Sequence, residues 1–393
     1  MPKWLLILYL SFFTLLAYSD ISKDSEIFEI GGYLMIDHDY FGAFYNKDES
    51  QYQHKTEIRR SKLSLTSKPS QHIKLKLQLK YARVFQDKEK LFLGDAYLQL
   101  KSDNNISLQL GRMKEPFGLE QQTSSSELIA IERSLATNTF SPGRSFGAQI
   151  DYKTKKNYFA IGYYIDRDNR FDFALANFNL ADLKTPCLYL SQQGDNDVKA
   201  FTMRLTMAPI QKKHSTIHLG SSFSKRWLNN KAQYKIKGEV HTADTIIRSA
   251  RFYADDSLIY QVDWALHKKQ FLMQGELFAN EVLQSDGRSW FYTGGYIQAS
   301  YRFFGGYKYK QGVFKSAKLK RALAFECVIR HSYVDLNDHD IGSEASSSLI
   351  GANLYLSPLF KLMANMTIPS ITGDTVNNDQ TGYAYSFRAQ LSF

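Results

Sequence analysis

Ile73-Lys74-Leu75-Lys76-Leu77-Gln78-Leu79-Lys80-Tyr81 carries an apolar side chain at every odd position and a polar one at every even position. In an extended chain successive side chains point to opposite faces, so this alternation makes one greasy surface and one wet surface. The pattern recurs along the chain. Phe159, Ile161, Tyr163 and Ile165 form one apolar face, and Phe201, Met203, Leu205 and Met207 form another, opposite Thr202, Arg204 and Thr206. Leu323, Phe325, Cys327 and Ile329 stand opposite Ala324, Glu326, Val328 and Arg330. The chain ends on Tyr383, Tyr385, Phe387, Ala389, Leu391 and Phe393. The alternation predicts sixteen strands, near 28–40, 56–67, 72–85, 92–101, 105–113, 144–153, 157–166, 198–208, 215–227, 257–267, 270–283, 291–304, 319–334, 346–357, 359–369 and 381–393. No long amphipathic helix and no solenoid or propeller repeat is visible.

The connections alternate in length. Lys68-Pro69-Ser70-Gln71, Ser102-Asp103-Asn104-Asn105 and Ser357-Pro358 read as tight turns, whereas 114–143, 167–197, 228–256, 335–345 and 370–380 read as long loops. Short turns at one end and long loops at the other mark an outer-membrane barrel. One connection departs from the rule: 305–318 is long where a short periplasmic turn is due, and it carries Lys308, Lys310, Lys315 and Lys318. A soluble sandwich also alternates, but its inner face is rich in Val and Ile. Here the apolar face is rich in Leu, Phe and Tyr, with Tyr near strand ends as in an interfacial girdle. The expected fold is therefore all-β, an antiparallel transmembrane β-barrel of about 16 strands.

Composition agrees. The chain has 393 residues, 27 Phe, 25 Tyr, 8 Pro, 2 Cys and a formal net charge of +10. Two cysteines exclude a disulfide scaffold or a Cys-rich metal cluster. Scarce proline and the lack of low-complexity tracts argue against disorder. Met1-Pro2-Lys3 is basic, Trp4 to Leu16 is apolar, and Ala17-Tyr18-Ser19 has small residues at both cleavage positions. Residues 1–19 are expected to be a signal peptide and 20–393 the mature barrel domain. Beyond the first twenty residues, no apolar run approaches the roughly 18 residues of a membrane-spanning helix. Nine His show no ligand-like spacing, and neither a phosphate-binding loop nor a nucleophile elbow is present, so no metal, cofactor or catalysis is expected. The excess positive charge favours anionic partners without saying which; read with the barrel, the expected partners are small inorganic anions and outer-membrane lipid, and not nucleic acid.

If Leu75, Leu77 and Leu79 face lipid, then Lys74, Lys76 and Lys80 face water inside the barrel. The opposite assignment costs roughly 2–4 kcal/mol per lysine near the midplane. These lysines are either a solvated wall or a ladder of cations some 7 Å apart, along which an anion steps. By the same parity Arg60 and Lys62 face the lumen with Leu63 and Leu65 outside. Arg59 has the wrong parity and is expected where the strand ends or bulges. Asp95 points inward opposite Ala96 and Leu98, either orienting a neighbouring cation or keeping an anion site shallow. Glu276 and Glu326 also point inward. Lys114 opens the loop 114–143, Arg133 lies within it and Arg144 opens the next strand. Arginine offers a planar fork suited to phosphate oxygens. The alternative for Arg133 is a strut that pairs Glu132 or a wall carboxylate. Cys327 falls on the lipid face and Cys187 in a long loop, so no disulfide is expected.

Residues 111–150 are the most specific stretch. Gly111-Arg112-Met113-Lys114-Glu115-Pro116-Phe117-Gly118-Leu119-Glu120 leads to Thr123-Ser124-Ser125, Ile131-Glu132-Arg133-Ser134-Leu135, Ser141-Pro142-Gly143-Arg144 and Gly147-Ala148-Gln149. Together with Ile58-Arg59-Arg60-Ser61-Lys62-Leu63, Asp95-Ala96-Tyr97, Gly351-Ala352-Asn353-Leu354-Tyr355 and Arg388-Ala389-Gln390-Leu391-Ser392-Phe393, it closely resembles the phosphate-selective porin O and P family. The resemblance implies a sixteen-stranded trimeric porin whose third loop, here 114–143, folds into the channel. It also implies that a fifth loop (228–256) and a seventh periplasmic turn (305–318) reach the lumen, and that Arg59 and Arg60 lie at the constriction. Two positions depart from the family pattern. Gln121 stands where phosphate-selective members tend to carry Lys, and Tyr33 where they tend to carry Arg. Lys114 and Arg248 or Arg251 are candidates to compensate. The expected function is an outer-membrane porin passing phosphate or similar small anions. The alternatives are a weakly selective diffusion porin and, from a different class, an outer-membrane enzyme or a plugged surface-binding barrel.

Overall fold

The computed structural model describes residues 28–45, 53–84, 88–166, 172–174, 198–317, 323–373 and 380–393. The segment 1–19 expected to be a signal peptide, Cys187, Lys318 and most of the loop 167–197 lie outside them. The alternating segments form β1 (Phe28–Phe41), β2 (Gln53–Ser70), β3 (Ile73–Val84), β4 (Lys88–Lys101), β5 (Ile106–Lys114), β6 (Arg144–Lys153), β7 (Asn157–Asp166) and β8 (Val198–Lys212). They continue as β9 (Ser215–Ala232), β10 (Phe252–Lys268), β11 (Phe271–Leu283), β12 (Ser289–Phe303), β13 (Ala324–Asp335), β14 (Ser343–Tyr355), β15 (Phe360–Gly373) and β16 (Ala384–Ser392). Each pairs antiparallel with the next in chain order. β16 returns to pair with β1 from Tyr33↔Ser392 to Phe41↔Ala384, so the sheet closes. Closure removes the unpaired strand edges that lipid could not satisfy.

The faces are inverted relative to a soluble sandwich. Leu77, Leu205, Leu277 and Ile350 on the outer face are 45–65% exposed. Gln99, Arg204, Glu276, Asn280, Arg330 and Arg388 on the inner face are buried. Cys327 is exposed on the outer face, as its parity requires.

Three local details differ from or refine the sequence reading. First, β2 runs on through Ser70, and the turn is Gln71-His72 rather than Lys68-Pro69-Ser70-Gln71. The register slips between Ser67 and Ser70, so Pro69, which has no N–H to give, sits where the ladder is interrupted. Second, Met35 pairs with Arg60 but Ile36 pairs with Ile58, which leaves Arg59 as the extra residue of a bulge. Both arginines therefore send their guanidiniums to one loop carboxylate, Glu132. Third, 305–318 is not a simple turn and, counted from β1, is the sixth connection at this end rather than the seventh. It forms a hairpin of Tyr307–Lys310 with Val313–Ser316.

Candidate functional site

Residues 115–143, between β5 and β6, are bonded to inward side chains around most of the barrel. Glu115 is fully buried and accepts from Arg226 of β9 at 3.0 Å, Ser145 of β6 at 2.7 Å and Thr202 of β8 at 2.7 Å. Gly118 adopts φ 63°, and a Cβ there would stand 2.8 Å from Glu276 Oε2. That close approach lets the Leu119 N–H, at the start of α1 (Leu119–Gln122), donate to Glu276 of β11 at 3.0 Å. The loop's carbonyls are met by wall side chains: Leu128 by Lys361 (3.2 Å), Ile129 by Asn353 (2.7 Å), Ile131 by Arg388 (2.6 Å) and Glu132 by Arg330 (3.0 Å). An irregular segment cannot satisfy its own backbone, so the wall must supply these donors.

Glu132 is the charge centre of this arrangement. It accepts from Arg59 at 2.9 and 3.1 Å, from Arg60 at 3.3 Å and from Arg388 at 2.9 Å. Burial alone would push its carboxyl up, but Arg59, Arg60 and Arg388 hold it well below the usual carboxylate range. Asp37 also grips Arg388, at 2.7 and 2.6 Å. A second centre joins the loop to the segment 233–251. There Glu239 accepts from the Leu135 N–H at 3.0 Å, at the start of α2 (Leu135–Phe140), and from Arg330 at 2.8 Å. Glu120 takes the other side of Arg330 at 3.3 Å. A third, Arg204–Asp263–His218, links β8, β10 and β9 with contacts of 2.7 and 2.6 Å. The hairpin docks on it, since Tyr309 Oη lies 2.9 Å from His218 Nδ1. Tyr307 bonds Glu326, and the Ser316 N–H reaches Glu127 of the loop at 2.9 Å. The hairpin's Lys308, Lys310 and Lys315 take the alternate, exposed positions.

The cations predicted on β2 and β3 occupy a different environment. Arg204, Arg302, Arg330 and Arg388 keep 0–1% of their side chains exposed, whereas Lys76 and Arg144 keep 23% and Arg60 keeps 20%. Lys62, Lys74 and Lys80 are also only half-buried. Asp95 joins this group: Lys76 Nζ lies 2.9 Å from it and Arg144 Nε 2.6 Å. Lys62 counts Lys76, Arg144 and the hairpin's Lys315 among its charged neighbours. Tyr33 lies beneath Lys62, 4.5 Å from the ammonium, and Tyr97 lies 5.9 and 5.8 Å from Lys74 and Lys76. Lys114 donates to the Gln121 carbonyl at 2.5 Å, so it is tied to the loop. Arg133 is a strut, though not to a carboxylate: it donates to the carbonyls of Glu120 at 3.2 Å and Thr123 at 3.0 Å, because Glu132 beside it is already taken by three arginines. Arg248 and Arg251 are exposed on 233–251.

Lys62, Lys74, Lys76, Lys80 and Asp95 lie on the inner face of their strands, and Arg59 is the extra residue of a bulge. The sequence reading missed the anchors Glu115, Glu239, Arg226 and Asp263. Parity marks Arg226 and Asp263 as inward charges, but no local signal pairs them with their partners.

A family model described as phosphate-selective porin O and P matches residues 28–393. Porin O of Pseudomonas aeruginosa is 23% identical over 423 aligned positions, covering 95% of this chain and 90% of that protein. The trimer form of in-vitro folded OmpT from Vibrio cholerae superposes with a TM-score of 0.56 at 9% identity, over 93% of this chain and 99% of that one. The anion-selective porin from Comamonas acidovorans gives 0.54 at 11% identity, over 93% and 99%. At such identities these two structures speak for the fold alone. Since the family match runs from the first residue of β1 to the C-terminus of a closed barrel, the chain belongs to the phosphate-selective porin O and P family, and it is a porin of the bacterial outer membrane.

Proposed function

We propose that this porin is a water-filled, anion-preferring channel for passive entry of phosphate or similar small anions. One observation carries the reading: Lys62, Lys74, Lys76, Lys80 and Arg144 share the part of the inner wall that keeps contact with water, with Asp95 as the acid among them. An anion crossing low-dielectric surroundings gains most where it exchanges hydration water for ammonium donors. Sites two residues apart, some 7 Å, let it pass from one to the next. Asp95 draws on Lys76 and Arg144 and keeps each site shallow enough to release its ion. The segment 114–143 narrows the channel against this wall. Residues 1–19 direct export and are removed, three copies assemble in the membrane, and transport needs no cofactor.

A second reading, a weakly selective diffusion channel, is favoured by the direct pairing of Asp95 with two of the cations and by Gln121 and Tyr33 at positions where the family tends to carry cations. Planar-bilayer recording of the purified protein separates the readings. Regular conductance steps are expected, and their absence would favour an enzyme or a plugged barrel. In a KCl gradient the reversal potential should lie toward chloride, and Lys74→Glu with Lys76→Glu should move it toward potassium. A reversal potential unmoved by that double reversal of charge would refute the cation ladder. Phosphate should block chloride current at millimolar concentration; without block, the anion channel stands and phosphate does not.

A further inference from the structure

Three of the short turns carry a Lys-Lys pair: Lys155-Lys156 between β6 and β7, Lys212-Lys213 at the end of β8, and Lys268-Lys269 at the end of β10. All six side chains are exposed. The three turns are consecutive around the rim: the first bonds to β8 just short of the second, and the second touches the third. The Ala208 N–H donates to the Lys156 carbonyl at 2.8 Å, the Lys269 N–H donates to the His214 carbonyl at 2.7 Å, and Ser215 pairs with Lys268. Residues 154–156, 211–214 and 268–270 contain no Asp or Glu. The acid nearest in sequence, Asp151, is fully buried and taken by Lys153 at 3.2 Å and Tyr158 at 3.0 Å. Elsewhere on the same rim a cation meets an acid: Lys68 pairs with Glu29. Among the described residues, the positive charge of the β6–β11 arc thus has no acid facing it, whereas Lys68 in the β2–β5 arc does.

The level of the arc matters as much as its sign. Tyr152, Ile210, Leu266 and Phe271, on the outer face within a few residues of these turns, are 39–43% exposed. The apolar collar ends and the ammonium groups begin within a few residues, which is where a bilayer passes from acyl chain to headgroup. Short turns lie at the periplasmic end of such barrels, so the leaflet concerned is the periplasmic one. A free anion would satisfy only the lysines. An anionic phospholipid satisfies both features at once, laying its phosphate among the ammoniums and its chains on the collar. We infer that the β6–β11 rim is a binding surface for anionic phospholipid headgroups of the periplasmic leaflet.

The test uses the full chain reconstituted in phosphatidylcholine vesicles that contain spin-labelled phosphatidylglycerol or, in parallel, spin-labelled phosphatidylcholine. Electron spin resonance reads the motionally restricted lipid at the barrel surface and so the preference for one headgroup over the other. The wild type should prefer phosphatidylglycerol. Each pair changed to Gln should lower the preference roughly twofold after salt screening, and changing all six should abolish it. The same six changed to Arg should retain it, because the charge and its level are kept. A preference that survives all six Lys→Gln changes overturns the inference. So does loss of the preference on adding inorganic phosphate when chloride of equal ionic strength has no effect, since that outcome assigns the arc to free phosphate. A third arm measures reversal potential in a neutral bilayer, which the six Gln changes should leave unmoved. A shift there, with lipid preference intact, would assign the rim to permeating anions and overturn the lipid reading.

Discussion

Changing Glu132 to Gln should loosen the middle of the third loop without opening the barrel. The carboxylate receives four donors from three guanidiniums, at 2.9 to 3.3 Å. With Gln in its place, Arg388 keeps Asp37 as its one carboxylate and Arg60 keeps the Ser125 hydroxyl, Arg59 loses its carboxylate, and the new amide turns a donor toward groups that are themselves donors. Removing one partner of a buried ion pair costs about 3–5 kcal/mol, most of it the penalty of the charges left behind. The cost falls on the seating of 128–134, because the strand ladders do not pass through Glu132. Local opening of that segment should rise by on the order of a hundredfold to a thousandfold. Hydrogen–deuterium exchange of the folded protein, read on peptides spanning 128–140, measures this directly, with β13 to β15 as internal reference. Fast exchange in the loop, unchanged exchange in the strands and noisier open-channel current are the expected results. A loop that exchanges at the wild-type rate would refute the reasoning, and so would a uniform rise across the strands, which would mean the cost is not local.

Asp95→Asn releases Lys76 and Arg144 from their shared carboxylate, so the reversal potential should move further toward chloride and phosphate block should strengthen; an unmoved potential would remove Asp95 from the pathway. Leu77→Lys places an ammonium on the outer face, where Leu77 is 45% exposed, and should cost roughly 2–4 kcal/mol in denaturant unfolding from vesicles, whereas Lys76→Leu on the inner face should cost much less. His241 of the segment 233–251 is held down to about 3 by burial and then by Arg59. Its folded value lies below its ordinary value near 6.5, so the unfolded segment takes up a proton that the folded one refuses. The seating of 233–251 should therefore be constant above pH about 6.5 and weaken progressively as pH falls from there toward 3. Exchange rates across that segment, corrected for intrinsic pH dependence, check the sign, and His241→Phe should flatten the profile.

The strands were legible because their information is local. A period of two needs only neighbouring residues, and a bilayer on one side with water on the other makes each strand state its own orientation. The same parity exposed Arg59 as an extra residue, and the structure has its bulge there. The turn after β2 was misplaced because Pro69 reads as a turn residue, while a register slip lets it stay within the strand. The hairpin 307–316 was legible as long and basic. That Tyr307 and Tyr309 would turn inward was not, because the partners that draw them in, Ser300, Glu326 and His218, come from three different strands.

The loop anchors were the least legible. Arg330 meets Glu120 from 210 residues away, and Arg388 meets Asp37 from 351 residues away. By itself, then, the sequence determined which residues face lipid and which face the interior, since alternation is a property of adjacent side chains under a steep solvent gradient. Only the tertiary structure decided which interior charges neutralise one another and which remain in water, because those distances exist only once β16 has closed on β1.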